Sequence, residues 1–122
     1  MKTKLFLAAV LLFIVYCLLF TVNSFSQNSR LWATYYGGTG DEYACSVAAD
    51  ATGNIYIIGE TSSTSGIASG GFQNTFGGVQ DAFLVKFNAG GGRLWATYYG
   101  GTGGFEGGYS AATDASGNVY LA

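Results

Sequence analysis

A chain of 122 residues, 49% apolar and 16% aromatic, has enough apolar matter to pack a core and room for one small domain. It contains no histidine, which removes Ser–His triads, Cys–His dyads and most zinc centres, because each needs an imidazole as base or ligand. A formal charge of −2 with only 10% charged residues excludes a basic nucleic-acid surface, so no nucleic-acid partner is expected.

In chain order, Lys2 and Lys4 precede the unbroken apolar stretch 5–22, and a polar, small-residue segment with Ser24 and Ser26 follows. This is the layout of a signal peptide, an apolar helix over residues 1–26 with cleavage before Gln27. Eighteen residues at a helical rise span about 27 Å, so the competing reading is an uncleaved anchor, the only route to a membrane that the sequence offers. Either way the chain is expected outside the cytoplasm, secreted or at the cell surface. Residues 27–122 keep three bases (Arg30, Lys86, Arg93) and seven acids, a net charge of −4. Cys45 is their single cysteine, which excludes an intramolecular disulfide. With no imidazole and no neighbouring positive charge to activate it, Cys45 reads as apolar filling near a strand start.

An internal repeat organises residues 27–122. RLWATYYGGTG at 30–40 returns unchanged at 93–103, and after one inserted residue VAADATGNIYII at 47–58 matches AATDASGNVYLA at 111–122. The offset is therefore 63 and then 64 residues, the mark of stacked supersecondary units. Within one unit, turn clusters separate four apolar runs: 46–50, 54–61, 82–88 and 93–99. A last strand of a preceding blade is expected at 30–36, one full blade at 46–99, and the start of the next at 110–122. Phe83, Val85 and Phe87 alternate with Leu84, and Ile55 and Ile57 with Tyr56 and Ile58, so both faces of the sheet are apolar and must be covered. The expected fold is all-β, with four-stranded antiparallel propeller-type blades, about one and three-quarters of them in an incomplete ring. The sequence ends inside a second copy of 54–61, which reads as part of a longer protein with further blades.

The segments YYGGTGDE (35–42), AADATGNIYIIGETS (48–62), GGVQDAFLVKF (77–87) and LWATYYGG (94–101) resemble the SBBP repeats, a family of bacterial extracellular β-propeller proteins. The resemblance implies the fold and export, and no defined reaction. The second copy has Gly104, Phe105 and Glu106 where the first has Asp41 and Glu42.

Alternation of connections puts the long loops 37–45 and 62–81 at one end of the blade and the tight turns 51–53 and 89–92 at the other. Asp41, Glu42, Asp81 and Glu106, with Glu60 nearby, fall at the long-loop end, while Arg30, Lys86 and Arg93 fall toward the other. Asp41, Glu42 and Asp81 are thus the candidate metal ligands and calcium the one candidate cofactor, although the dense alternation of a calcium loop is missing. Asp50, Gly53 and Asn54, with their copies Asp114, Gly117 and Asn118, read as turn residues, the acid accepting amide protons and the glycine taking positive φ. Trp32, Trp95 and the tyrosine pairs 35/36 and 98/99 read as blade packing. No catalytic residue emerges. The function expected is a structural or binding, adhesive role toward a protein or glycan partner. The alternative is the N-terminal part of an extracellular polysaccharide lyase or glycosidase with its active groups in other blades.

Overall fold

The structure, a computed structural model, describes residues 30–122; the expected signal helix over 1–26 lies outside them. Six strands form in the unit Leu31–Ala122: β1 (Glu42–Ala49), β2 (Ile55–Thr61), β3 (Asp81–Phe87), β4 (Arg93–Tyr99), β5 (Ala111–Thr113) and β6 (Val119–Leu121). The first four make one antiparallel sheet in the order β1-β2-β3-β4, and β5 and β6 pair as the start of a second. The fold is all-β and propeller-type: one whole four-stranded blade and the opening hairpin of another. Among the described residues no helix is long and apolar enough to cross a membrane.

The period-2 alternation of β2 and β3 produces two cores. On one face Phe83, Val85, Phe87, Ala96 and Tyr98 are buried together with Ile67 from the β2–β3 connection. Trp32, Tyr36 and Phe76 close over them. On the other face Tyr56, Ile58 and Leu84 are buried under Ala111 and Val119 of the second sheet, with Trp95 beside them. Each fully buried side chain of this size contributes about 1.5–3 kcal/mol, which is why both faces are covered.

Three expectations are corrected. Residues 30–36 form no strand, since a ladder needs a partner and the described residues contain no third strand of a preceding blade. Their side chains nevertheless pack on the following sheet: the Trp32 ring lies 5.9 Å from Phe87, and Tyr36 lies 5.5 Å from Phe83. Second, β1 begins at Glu42 rather than 46, because β2 continues to Thr61 and pairs with it. Gly59 permits this, for a methyl there would sit 2.0 Å from the Tyr43 carbonyl oxygen. Third, Cys45 is not apolar filling. The register shifts between Ala44 and Ser46, and Cys45 stands at that bulge, exposed.

The connection 62–81 is not a free loop. Ser69 exchanges both backbone hydrogen bonds with Ala96 (2.9 and 3.0 Å), and the Tyr98 amide donates to the Gln73 carbonyl at 2.9 Å. It covers the outer edge of β4, which would otherwise offer unpaired amides to other chains.

Candidate functional site

At the tight-turn end, Asp50 organises a three-residue hairpin loop. Its Oδ1 accepts from the Thr52 and Asn54 amides, both at 3.0 Å, and from the Thr52 hydroxyl at 2.7 Å. Its Oδ2 accepts from Asn54 Nδ2 at 2.8 Å and the Tyr56 hydroxyl at 3.1 Å. Gly53 closes the turn at φ +82°, the left-handed position of a bulged hairpin. Asp114 repeats the arrangement, accepting from the Ser116 and Asn118 amides at 2.9 Å and from Tyr120 at 2.9 Å, with Gly117 at φ +81°.

These hydrogen bonds favour the charged carboxylates. Asn54 chiefly holds Asp50 well below the usual carboxylate range, and Asn118 chiefly lowers Asp114 to about 2. Lys86 Nζ sits 3.8 Å from Asp50 Oδ2 and 4.8 Å from the Tyr56 ring centre. The turn expected at 89–92 has the same geometry, and what the sequence reading missed is its organiser, Asn88. Asn88 Oδ1 accepts from the Gly90 and Gly92 amides at 2.9 Å, and Gly91 takes φ +84°. The signal was there, an Asx residue three positions before a glycine in NAGGG.

At the long-loop end the acids are separated rather than pooled. Asp41 is exposed, and its amide donates to the Ser62 hydroxyl oxygen at 2.9 Å. Glu42 accepts from the Gly38 amide at 3.0 Å, the Thr61 hydroxyl at 2.8 Å and the Ser63 hydroxyl. Burial pushes its carboxyl up, but the hydrogen bonds from Ser63, Thr61 and Gly38 outweigh that and leave it below the ordinary value. Asp81 is fully buried and accepts from the Gly77 and Gly78 amides at 2.8 and 3.1 Å. Glu42 thus ties the 37–41 loop to the end of β2, and Asp81 ties the end of the long connection to β3. Among the described residues no three Asp, Glu or Cys side chains converge as a metal-binding group.

Thr61 and Ser63, the hydroxyl partners of Glu42, are the residues that sequence reasoning missed. Nothing local marks them, since both lie about twenty residues away in sequence. Glu106 corresponds to Glu42 at the offset of 64 residues. Its Oε2 is buried and has no hydrogen-bond partner among the described residues.

Both tryptophans, with Tyr36, Tyr56 and Tyr98, are packing groups. Trp95 meets Tyr56 edge-on at 6.3 Å, and the buried Tyr98 hydroxyl donates to the Ser63 carbonyl at 2.8 Å. Burial pushes the Tyr36 phenol well above its ordinary range. Tyr35 and Tyr99 remain exposed. A groove of about 440 Å³ runs beside β6, lined by Ile58, Leu84, Tyr99 and Leu121 among others.

No curated protein matches the chain at a significant level. The family model described as SBBP, beta-propeller repeat, matches residues 31–67, the stretch holding Trp32, Tyr36, the Glu42 cluster, the Asp50 turn and Ile67, so the chain carries an SBBP β-propeller repeat.

Proposed function

We propose that the protein is a non-enzymatic, exported β-propeller repeat protein that acts as a scaffold or binding surface toward a protein or glycan at the cell surface. The observation that carries this reading is the assignment of the acids. Glu42, Asp50, Asp81 and Asp114 each hold backbone amides or hydroxyls of their own loops, the role of structural acceptors. A glycosidase pair needs two carboxylates facing one bond across a fixed gap, and Asp41 and Glu42 are adjacent in sequence, where side chains on an extended chain point apart and make a poor pair. Calcium has no part in the reading, because protein donors already engage the carboxylates of Glu42 and Asp81. Export is supported by Lys2, Lys4 and the apolar stretch 5–22.

The experiment is to express the whole gene in a bacterium, sequence the N-terminus of the exported protein, and test it on a panel of polysaccharides for both retention and release of reducing ends. A start at Gln27 with retention and no release is expected, in EDTA as in millimolar calcium. Release of sugar would overturn the non-enzymatic role, and a protein confined to the cytoplasm would overturn export.

A further inference from the structure

The Asp50 and Asp114 turns enclose a cavity of about 260 Å³, lined by Asp50, Thr52, Asn54, Lys86, Ser116 and Gly117 among others. The Tyr56 hydroxyl bridges the two turns, 3.1 Å from Asp50 Oδ2 and 3.5 Å from the Gly117 carbonyl oxygen. Each turn is shaped by its own aspartate, so both walls are formed before anything enters. Three side chains of the lining keep hydrogen-bonding capacity that nothing among the described residues uses. Lys86 Nζ lies 3.8 Å from Asp50 Oδ2, beyond hydrogen-bond length, with 18% of its side chain exposed. Asn54 spends its amide hydrogens on Asp50 Oδ2 and Thr52 Oγ1, both at 2.8 Å, which leaves its Oδ1 as an acceptor. Ser116 gives its backbone amide to Asp114 Oδ1, while its hydroxyl stands exposed.

Charge decides which class of ligand these groups suit. A divalent cation would meet the Lys86 ammonium and find the Asp50 oxygens already engaged by amides and hydroxyls. An anion would meet the Asp50 carboxylate, and Asp114 stands two residues before Ser116. A neutral ligand faces neither penalty. The volume is smaller than the roughly 300–1,000 Å³ of pockets that take drug-sized molecules, and its lining offers a donor, an acceptor and a hydroxyl. Sugar hydroxyls donate and accept at once, so a single neutral sugar unit matches all three. We infer that the cavity between the Asp50 and Asp114 turns is a subsite for one unit of a neutral glycan. Lys86 Nζ donates to a sugar oxygen, Asn54 Oδ1 accepts from a sugar hydroxyl, and Ser116 Oγ makes the third contact. The inference rests on the glycan branch of the proposed function and places that ligand at the tight-turn end, opposite the long loops.

The test titrates the exported protein with glucose, galactose, mannose and N-acetylglucosamine, and separately with inorganic phosphate and calcium, following the amides of Thr52, Asn54, Ser116 and Gly117 by NMR. At least one of the sugars is expected to move these amides saturably, while phosphate and calcium leave them in place. Lys86→Met should weaken the sugar about tenfold, the loss of one hydrogen bond from a charged donor. Ser116→Ala, at an exposed position whose hydroxyl holds nothing among the described residues, should weaken it roughly fivefold and keeps the test decisive if Lys86→Met lowers stability. Amides unmoved by every sugar would overturn the subsite and leave polysaccharide retention elsewhere on the protein standing. Saturation by phosphate or calcium instead of sugar would overturn the ligand class, and unweakened sugar binding in both variants would overturn the assigned contacts. A saturating sugar in a protein that retains no polysaccharide would uphold the subsite and overturn the wider glycan-binding role.

Discussion

Removing the Glu42 carboxylate by Glu42→Ala tests the loop-end reading most directly. The Thr61 and Ser63 side chains are fully buried and both donate to it, and the Gly38 amide donates at 3.0 Å. Stranding a buried donor costs about 1–3 kcal/mol. Thr61 Oγ1 still accepts from the Ser63 amide at 2.9 Å, and Ser63 Oγ from the Gly40 amide at 2.7 Å, which keeps both hydroxyls partly satisfied. Taking the low end, about 1 kcal/mol, for each of the three donors gives a loss of about 3 kcal/mol. In a domain of this size that lowers the melting temperature by roughly 10 °C or more.

The assay is thermal melting by circular dichroism with urea unfolding alongside, run in parallel on Glu106→Ala. That second substitution removes a carboxylate with an unpartnered buried oxygen and is expected to leave stability unchanged or slightly raised. A pH series adds a sign. Glu42 titrates below its ordinary value near 4.5 in the folded protein, so its contribution is complete above that value and is lost as the pH falls through the folded one. Equal melting shifts for the two substitutions, or no shift for Glu42→Ala, would refute the argument that these hydroxyls depend on the carboxylate.

Three further outcomes are expected. Asp114, with its pKa lowered from 3.8 to about 2, should contribute stability that is complete above about pH 4 and fades toward pH 2; urea midpoints across that range should flatten in Asp114→Asn, and an unchanged slope would count against the turn. Gly53→Ala and Gly117→Ala force a methyl-bearing residue to φ near +80°, at about 1–2 kcal/mol each. Because nothing lies within 4 Å of a methyl at Gly117, a loss there measures backbone strain alone, and none by urea unfolding would refute the assigned conformation. Ile67→Ala empties a fully buried position, at about 2–5 kcal/mol, and unpins the long connection from β4. Amide exchange at Ala96 and Tyr98 should then accelerate, and unaltered exchange would show that the connection does not depend on this anchor.

Legibility followed the range of the interactions. The span 93–99 was readable to the residue because seven alternating positions lie between two glycine clusters, and the Asp50 and Asp114 turns were readable because every hydrogen bond that shapes them closes within six residues. The candidate ligands Asp41, Glu42 and Asp81 stand beside loops, but their company was not visible. Glu42 meets Thr61 and Ser63 across 19 and 21 residues, and no local pattern distinguishes those hydroxyls from Ser62, which is exposed between them.

The sequence by itself determined the repeat, its offset, the all-β class and the need to cover both sheet faces, since side-chain period and identical copies are properties of the chain read in one dimension. Only the tertiary structure decided what covers each face and edge. Residues 30–40 and 93–103 are identical, yet one forms no strand and the other contains β4, because a strand exists only where a neighbour supplies its hydrogen bonds. The same dependence turned the long connection 62–81 from an apparent open loop into the cover of an exposed edge.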